Sequence, residues 1–498
     1  MQRAYDEDVA VIEGFRPIPR GALIGGDWEP VTGPARDVVD PATAGVIATV
    51  QDCDPESVDR AVRSARQAFG SWSSLATAER AVILERVADA IRDHAAPIAR
   101  IETIDTGKPL SQSVSDVRIA ERYFRYYAHA AEHLFGDTIP SAGGLRVVTE
   151  REPYGIVAHI TPWNAPIAQL ARGVAPSLAV GNTVVVKPSE LAPLSSIMLG
   201  HILRDVLPAG VMSLIPGDGI VTGAALASHP GIDHLTFTGS VTTGASVARA
   251  AAANIVATNL ELGGKSAAIV FPGADLNAAV KSATGAVVRN SGQSCSALTR
   301  FIVHRSVVEE FSSRLVRSVE ALTIGPGIDD PDLGPLVSEA QRTKVLGLIR
   351  EAVDEGGTLL TGSATAPTRR DLQSGWFVSP TVVGDVTPAM IIAQTEVFGP
   401  VQTVMAFDTE DEAADIANGT DYGLAAAVFT KDVDVAARLS RRLRAGQVQI
   451  NGFIGAGAEI PFGGYRHSGH GREKGFEALY GYTQVKAIVT HVADLERL

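Results

Sequence analysis

A strand-like stretch leads directly into a glycine-bounded turn in the segment His234-Leu235-Thr236-Phe237-Thr238-Gly239-Ser240-Val241-Thr242-Thr243-Gly244. Residues 234–238 are rich in the aromatic, aliphatic and β-branched side chains that are typical of a buried strand. The turn after them should open a helix, whose first amide groups and nearby glycines can accommodate a phosphate group. The spacing is not that of the G-x-G-x-x-G fingerprint, so alone it predicts only a strand–turn–helix unit.

Strand-like and helix-like segments alternate from about residue 56 to the end of the chain, which predicts an α/β fold. Residues 54–56 are typical of a helix start, with an N-cap aspartate, a first-turn proline and a first-turn acid. A second helical stretch is predicted from about residue 78 to 105. Further buried strands are predicted at 155–160, 183–187, 267–271 and 448–451.

Two segments, 145–152 and 483–492, mix β-branched residues with charged ones. This pattern fits edge strands that a second subunit covers, and it fits ordinary surface strands equally well. The pattern alone leaves both alternatives open.

The chain has 498 residues, of which 45% are hydrophobic and 20% are charged. That length suggests about three domains with a large buried core. The formal net charge of −13, with no basic run to offset it, argues against nucleic acid and anionic membranes as partners. Residues 1–19 carry four acids and no apolar core of a signal peptide, and every apolar run falls far short of a membrane span.

The chain has two cysteines, Cys53 and Cys295. This number excludes a disulfide framework, and the zinc-binding Cys/His spacings are absent, so no metal site is predicted. We therefore expect a protein of the reducing cytoplasm.

The segment 290–297, NSGQSCSA, frames Cys295 with a glycine and small polar residues, so a substrate could approach it closely. An ordinary thiol has a pKa near 8.5, so a nucleophilic role would need local activation by backbone amides or a base. The alternative is that Cys295 is a small buried apolar residue.

Three other segments carry polar residues in restrained settings. Residues 160–166 hold Asn164 between two prolines, residues 184–190 place Lys187 and an acid after an apolar strand, and residues 261–265 place Glu261 beside two glycines. Taken singly, Asn164 could be a turn residue, Lys187 a solvated charge at a strand end and Glu261 a surface acid.

Together and in this order, these segments resemble the aldehyde dehydrogenase superfamily. The resemblance continues through residues 237–244, 396–400, 461–464 and 468–473, so that recognisable blocks span about residues 23–486. The set of motifs is highly specific.

The resemblance implies that Cys295 attacks the aldehyde carbonyl to give a thiohemiacetal, whose oxyanion is held by Asn164 and the Cys295 amide. Loss of hydride to a nicotinamide then leaves a thioester. Glu261 would activate water to hydrolyse it. Members that form coenzyme A esters typically lack this glutamate, so its presence favours a free carboxylic acid as the product.

By the same resemblance, Lys187 and Glu190 would hold the adenosine ribose and Glu396 the nicotinamide ribose, with Phe398 beside the ring. A carboxylate near the 2′-hydroxyl repels a 2′-phosphate, so NAD is expected as the cofactor and NADP is the alternative. Val241 stands where the family often has threonine, which removes a hydroxyl but keeps the backbone amides. The other predicted cofactor-binding residues are Ile160, Trp163, Ser189, Gly239, Ser240, Gly244 and Leu262.

The architecture that the resemblance implies has a Rossmann-like cofactor domain (1–132 and 154–263), an α/β catalytic domain (264–463) and a small β oligomerisation element (133–153 and 478–498). Relatives are dimers or tetramers, so a homodimer or homotetramer is expected.

By the same resemblance, the substrate would be a small-molecule aldehyde, and Arg172, Arg289 and Phe453 are the residues expected to contact it. Succinate-semialdehyde dehydrogenases have arginine at the first two positions, and two guanidiniums suit a carboxylate. The serine that completes that site is replaced by Ala456. An anionic aldehyde is therefore one hypothesis. The alternative is a broad aliphatic or aromatic range, with either arginine paired to a nearby acid.

Two readings from other classes stay open. One is a non-catalytic, crystallin-like protein on the same fold, although such a protein need not keep Cys295, Glu261 and Asn164. The other is a thiol hydrolase, for which no segment presents a histidine in a recognised arrangement.

Overall fold

The computed structural model describes residues 21–141, 144–453, 455 and 457–492. Within these residues the strands are β1 (Ala22–Ile24), β2 (Asp27–Glu29), β3 (Ala35–Val39), β4 (Val46–Gln51), β5 (Thr138–Ile139), β6 (Leu145–Pro153), β7 (Ile156–Ile160), β8 (Thr183–Lys187), β9 (Met212–Leu214), β10 (His234–Thr238), β11 (Ala257–Glu261), β12 (Ser266–Val270), β13 (Leu298–His304), β14 (Thr358–Thr361), β15 (Thr381–Gly384), β16 (Val401–Phe407), β17 (Ala425–Phe429), β18 (Gln447–Ile450), β19 (Gly469–His470) and β20 (Thr483–His491).

Helices alternate with these strands, as the sequence predicts. They are α1 (Pro55–Ser73), α2 (Thr77–Asp93), α3 (Ala95–Thr106), α4 (Leu110–Ala130), α5 (Pro166–Ala179), α6 (Leu194–Leu203), α7 (Ala224–Ala227), α8 (Val241–Ala252), α9 (Leu276–Val288), α10 (Val308–Glu320), α11 (Glu339–Asp354), α12 (Ile391–Gln394), α13 (Glu410–Asn418), α14 (Val433–Arg442) and α15 (Glu477–Gly481).

The first large sheet has the order β19-β11-β10-β7-β8-β9-β1-β2. Its five central strands are parallel and occur along the chain as β7, β8, β9, β10 and β11. Their spatial order is therefore 3-2-1-4-5, that of a dinucleotide-binding sheet, with the strand order reversing between β7 and β10. Ligands of such sheets bind beyond the carboxyl ends of the strands at this reversal.

The second large sheet has the order β14-β15-β16-β13-β12-β17-β18 and is parallel except for its edge strand β14. Its central strands are buried along their whole length, because helices cover both faces. A third sheet, β20-β6-β5, is antiparallel, and β3 and β4 form a hairpin. The three sheets draw on residues 22–261 with 469–470, on 266–450, and on 138–153 with 483–491. The division into domains stays a prediction.

The predicted strands at 155–160, 183–187 and 267–271 correspond to β7, β8 and β12, which are buried at every position. The prediction for 448–451 was wrong about burial, because β18 lies at the sheet edge and is half-buried. The predicted helix from 78 to 105 is two helices, α2 and α3, because the backbone of His94 leaves the helical region at φ −109° and ψ 19°.

Candidate active site

The carboxyl end of the first sheet and the amino end of the second meet around Gly263 and Gly264, which join β11 to β12. A Cβ atom on Gly264 would lie 2.5 Å from the carbonyl oxygen of Cys295, so this crossing requires glycine. The amide of Gly264 donates a hydrogen bond of 2.9 Å to Oε1 of Glu396. The link therefore brings the predicted nucleophile and a predicted cofactor-binding carboxylate into one place.

Cys295 lies in the loop between α9 and β13, after a turn in the left-handed backbone region. Asn290, Ser291 and Gly292 have φ values of 48°, 53° and 73°. A residue other than glycine costs about 1–3 kcal/mol in this region, so the surrounding structure must hold the turn.

Several contacts supply that support. The Asn290 side-chain amide donates to the carbonyl oxygen of Asn164 at 2.7 Å, and the Ser291 hydroxyl donates to the carbonyl oxygen of Gly334 at 2.8 Å. Gly292 packs so closely on Gly399 that any side chain would overlap its carbonyl group. Contacts at Asn290, Ser291 and Gly292 thus hold the backbone that precedes Cys295.

Asn164 lies between β7 and α5, and it is buried. Its Nδ2 donates to the carbonyl oxygen of Gln293 at 3.1 Å. An amide nitrogen has two N–H groups, so a second donor remains for a ligand. Asn164 and Cys295 both line one cavity of about 540 Å³.

The thiol of Cys295 is partly exposed in this cavity. Loss of solvent around the sulfur raises the pKa of Cys295 to about 11. The charge of Arg172 opposes this rise, whereas the carboxylates of Glu396 and Glu261 add to it. The free thiol is therefore protonated at neutral pH. Cys53, by contrast, is fully buried beneath α1.

Glu261 ends β11 and is buried, and neither carboxylate oxygen has a hydrogen-bond partner among the described residues. Burial raises its pKa well above the usual range, the nearby carboxylate of Glu473 raises it further, and Arg172 lowers it. A buried carboxyl group of this kind is a strong base once it is deprotonated.

The predicted cofactor residues lie along the carboxyl ends of β7, β8 and β10. Lys187 is buried and its Nζ donates to Oε2 of Glu190 at 3.1 Å. The hydroxyl of Ser189 accepts a bond from the Leu191 amide. Ile160 pairs with Lys187 on one side and with Phe237 on the other, so it lies at the reversal of strand order.

The start of α8 lies beside them. Ser240 is its N-cap and accepts a bond from the Thr243 amide. Gly244 packs against Leu262, and Gly239 packs against the ring of Phe237, so closely that a Cβ atom on either would lie 2.5 Å from its neighbour. These glycines leave the helix N-terminus open to an anionic group.

The rings of Trp163 and Phe398 meet edge to face, with centroids 5.2 Å apart. Phe398 has a φ of 58°, and Gln341 holds it by donating to its carbonyl oxygen at 2.8 Å. Burial raises the pKa of Glu396 to about 7, which the bond from Gly264 opposes.

The two predicted substrate arginines lie in different settings. Arg172 and Glu473 are both buried and form an ion pair, and the guanidinium lies 5.4 Å from the ring centroid of Phe462. Arg289 and Phe453 line the cavity, and the exposed Arg289 has no ion pair within the part of the chain that the structure describes. Ala456 lies outside the described residues.

Sequence reasoning missed three residues here: Glu473, Lys474 and Gln112. Glu473 belongs to the motif at residues 468–473, but it is so far from Arg172 in the sequence that their ion pair could not be predicted. Lys474, the next residue in the chain, lines the cavity, and burial lowers the pKa of this lysine to about 8. Gln112 lies on α4 with no sequence motif around it.

Among the residues that the structure describes, none of the helices is both long enough and apolar enough to cross a bilayer. The same residues contain no group of three or more histidine, cysteine, aspartate or glutamate side chains placed to hold a metal ion.

Comparison with known proteins agrees with this geometry. The chain is 42% identical over 475 residues to "Aldehyde dehydrogenase family 2 member B4, mitochondrial" of Arabidopsis thaliana, covering 94% of this chain and 87% of that one. It is 39% identical to human "Retinal dehydrogenase 2", covering 94% and 91%. The crystal structure of betaine aldehyde dehydrogenase from Staphylococcus aureus in complex with NAD+ superposes with a TM-score of 0.95 at 38% identity, covering 98% of each chain. Residues 28–488 match the aldehyde dehydrogenase family, and the chain belongs to it.

Proposed function

We propose that this protein oxidises an aldehyde to the carboxylic acid, with NAD as the oxidant and Cys295 as the nucleophile. The observation that carries the proposal is the placement of Cys295 and Asn164 on one cavity, with Glu261 buried at the end of β11 and close enough to raise the pKa of Cys295. These three groups supply a nucleophile, an oxyanion donor and a base.

In the first half-reaction the Cys295 sulfur forms a bond to the aldehyde carbon and the thiol proton passes to solvent. The carbonyl oxygen becomes an oxyanion, which accepts hydrogen bonds from the free N–H of Asn164 and from the Cys295 amide. NAD, when bound, accepts the hydride from the aldehyde carbon, which leaves an acyl group on the sulfur. The pKa of about 11 makes removal of the thiol proton a demanding step.

The residues present fit NAD. The open start of α8 suits a pyrophosphate, and the Lys187–Glu190 pair suits a ribose with two hydroxyls. Glu396, fixed at Gly264, would hold the second ribose near Cys295. The carboxylate of Glu190 would repel a 2′-phosphate, so NAD is favoured over NADP.

In the second half-reaction Glu261 takes a proton from water while the water oxygen attacks the thioester carbon. The carbon–sulfur bond then breaks, the acid leaves and Cys295 recovers its proton. Both Glu261 oxygens are buried without a hydrogen-bond partner among the described residues, which supports this role, because no protein donor there occupies them.

For the substrate class, we propose an aldehyde with an anionic far end. Arg289 and Lys474 both line the cavity, and Arg289 carries an uncompensated charge among the described residues. Phe453 supplies an apolar wall beside them. The pairing of Arg172 with Glu473 removes it from direct carboxylate binding, so the proposal relies on Arg289.

We also propose a homodimer or homotetramer, assembled through the sheet of β5, β6 and β20. The strand β20 is an edge strand, and its Val485 and Val489 side chains are exposed. An exposed apolar edge of this length invites pairing with a second copy.

The proposed reaction is tested by the increase of absorbance at 340 nm when NAD and an aldehyde are added to the protein. Propionaldehyde, butyraldehyde, betaine aldehyde and succinate semialdehyde should be compared by kcat/KM. The acid product and the NADH should form in equal amounts. Absence of NADH with every aldehyde would contradict the proposal.

A further inference from the structure

Gln112, in the first turn of α4, contacts the chain that leads to the nucleophile through both ends of its side-chain amide. Its Oε1 accepts a hydrogen bond of 2.7 Å from the backbone amide of Asn290, and its Nε2 donates one of 3.0 Å to the carbonyl oxygen of Val288. These two residues flank Arg289, where α9 ends and the left-handed turn begins.

The contact continues from the turn to the predicted oxyanion donor. The Asn290 side chain donates to the Asn164 carbonyl oxygen at 2.7 Å, and Asn164 Nδ2 donates to the Gln293 carbonyl oxygen at 3.1 Å. Gln112, Asn290 and Asn164 thus form one chain of hydrogen bonds between α4, the Cys295 loop and the end of β7.

The chemistry of this contact is specific. The end of a helix leaves carbonyl groups without partners inside the helix, and the turn after it exposes an amide. A side-chain amide offers one acceptor and one donor in a fixed geometry, so a single glutamine satisfies both groups. An apolar side chain of similar length would satisfy neither and would leave the turn at Asn290 without this support.

We infer that Gln112 is a positioning residue for the acylation step, which rests on the function proposed above. It fixes the turn at Asn290 and thereby aligns the Asn164 amide with the Cys295 sulfur. A displacement of about 1 Å between reacting groups can cost a factor of about 100 in rate, so loss of this support should slow thioester formation.

The test is the single-turnover rate of NADH formation, with enzyme in excess over propionaldehyde and NAD at saturation. When the enzyme concentration is high enough to saturate binding of the aldehyde, this rate constant does not depend on the fraction of folded enzyme. Gln112→Met should lower it about tenfold or more, while the Kd for NAD stays unchanged. Gln112→Glu, which keeps only the acceptor for Asn290, should give an intermediate rate.

Gln402→Met is the matched control. Gln402 is a buried glutamine whose Nε2 donates to the carbonyl oxygens of Ala283 in α9 and Leu298 in β13, and neither of these hydrogen bonds involves the turn. Its loss should lower thermal stability and leave the single-turnover rate near that of the wild type.

Two further results decide the inference. On an Asn164→Ala background, Gln112→Met should have little further effect, because the group it aligns is gone. Trypsin should cleave after Arg289 faster in Gln112→Met than in the wild type or in Gln402→Met. An equal loss of rate on both backgrounds, or unchanged cleavage, would overturn the inference. A wild type that makes no NADH would instead contradict the proposed function, and the cleavage result would still test the support of the turn.

Discussion

The guanidinium of Arg172 forms an ion pair with the carboxylate of Glu473, and both side chains are buried beside the cavity. The pair compensates the charge of an arginine that the sequence places in the substrate pocket. Arg172 also opposes the rise in the pKa of Cys295 and of Glu261, so its charge acts on both the proposed nucleophile and the proposed base. The proposed recognition of an anionic substrate therefore relies on Arg289, which also lines the cavity.

The first prediction concerns that recognition. Arg289→Gln should lower kcat/KM for succinate semialdehyde by about 10- to 100-fold, because a hydrogen bond to a charged group contributes about 1.5–3 kcal/mol. The value for butyraldehyde, which has no carboxylate, should change little. The measurement is kcat/KM for both aldehydes, with Arg289→Lys as the control that keeps the charge.

The preference for an anionic aldehyde can be contradicted by the same measurements. A wild type that prefers butyraldehyde, with equal losses for both substrates in Arg289→Gln, would leave a broad aliphatic or aromatic range as the substrate class.

The second prediction distinguishes the two cysteines. Cys295→Ala should abolish NADH formation, because the thiol that faces the cavity is the proposed nucleophile. Cys53→Ala removes only a sulfur from the core beneath α1, so activity per folded molecule should persist. Steady-state assays with circular dichroism as the folding control measure both. Similar losses of activity in both variants would mean that Cys295 is not the nucleophile.

The third prediction separates the half-reactions. Glu261→Gln keeps the shape of the side chain but removes the base, so hydrolysis of the thioester should become the slow step. Stopped-flow traces should retain a first burst of NADH and lose steady-state turnover by a factor of about 100 or more. Unchanged turnover would remove Glu261 from the mechanism.

The fourth prediction concerns stability at low pH. Burial lowers the pKa of His159 to about 3, and its ring bonds the hydroxyl of Thr236 at 2.7 Å. Unfolding lets the ring bind a proton below its ordinary pKa near 6.5, so stability is lost as pH falls from there, by up to about 1.4 kcal/mol per pH unit. His159→Gln should reduce this loss, as measured by Tm between pH 7 and 5. Parallel curves for the two proteins would contradict the assignment.

Much of the fold could be predicted from sequence because its strands are short, apolar and bounded by turn residues. The runs at β7, β8 and β10 show this pattern, and each is followed by a residue of the proposed site. At β18 the same apolar pattern gave no information on sheet order, so an edge strand was predicted to be buried.

The contacts inside the site could not be predicted in this way. Arg172 and Glu473 are separated by 300 residues in the chain, and nothing local indicates that they meet. The contact between Gln112 and Asn290 could not be predicted either, because the two residues lie on different elements and their hydrogen bond depends on how α4 packs. The residue types indicated the chemistry, while the pairing depended on the tertiary structure.

The last prediction concerns the reactivity of the thiol. Because burial raises the pKa of Cys295 to about 11, the thiolate fraction should grow tenfold for each pH unit from 7 to 9 without reaching a plateau. The rate of alkylation by iodoacetamide, measured without NAD on a Cys53→Ala background, should follow it. Arg172→Gln should be slower at every pH, since Arg172 lowers the thiol pKa, whereas Arg172→Lys keeps the charge and should be slowed less. A plateau near pH 8.5 in the wild type would show that the thiol has an ordinary pKa, and equal rates in Arg172→Gln and the wild type would show that Arg172 has no measurable influence on it.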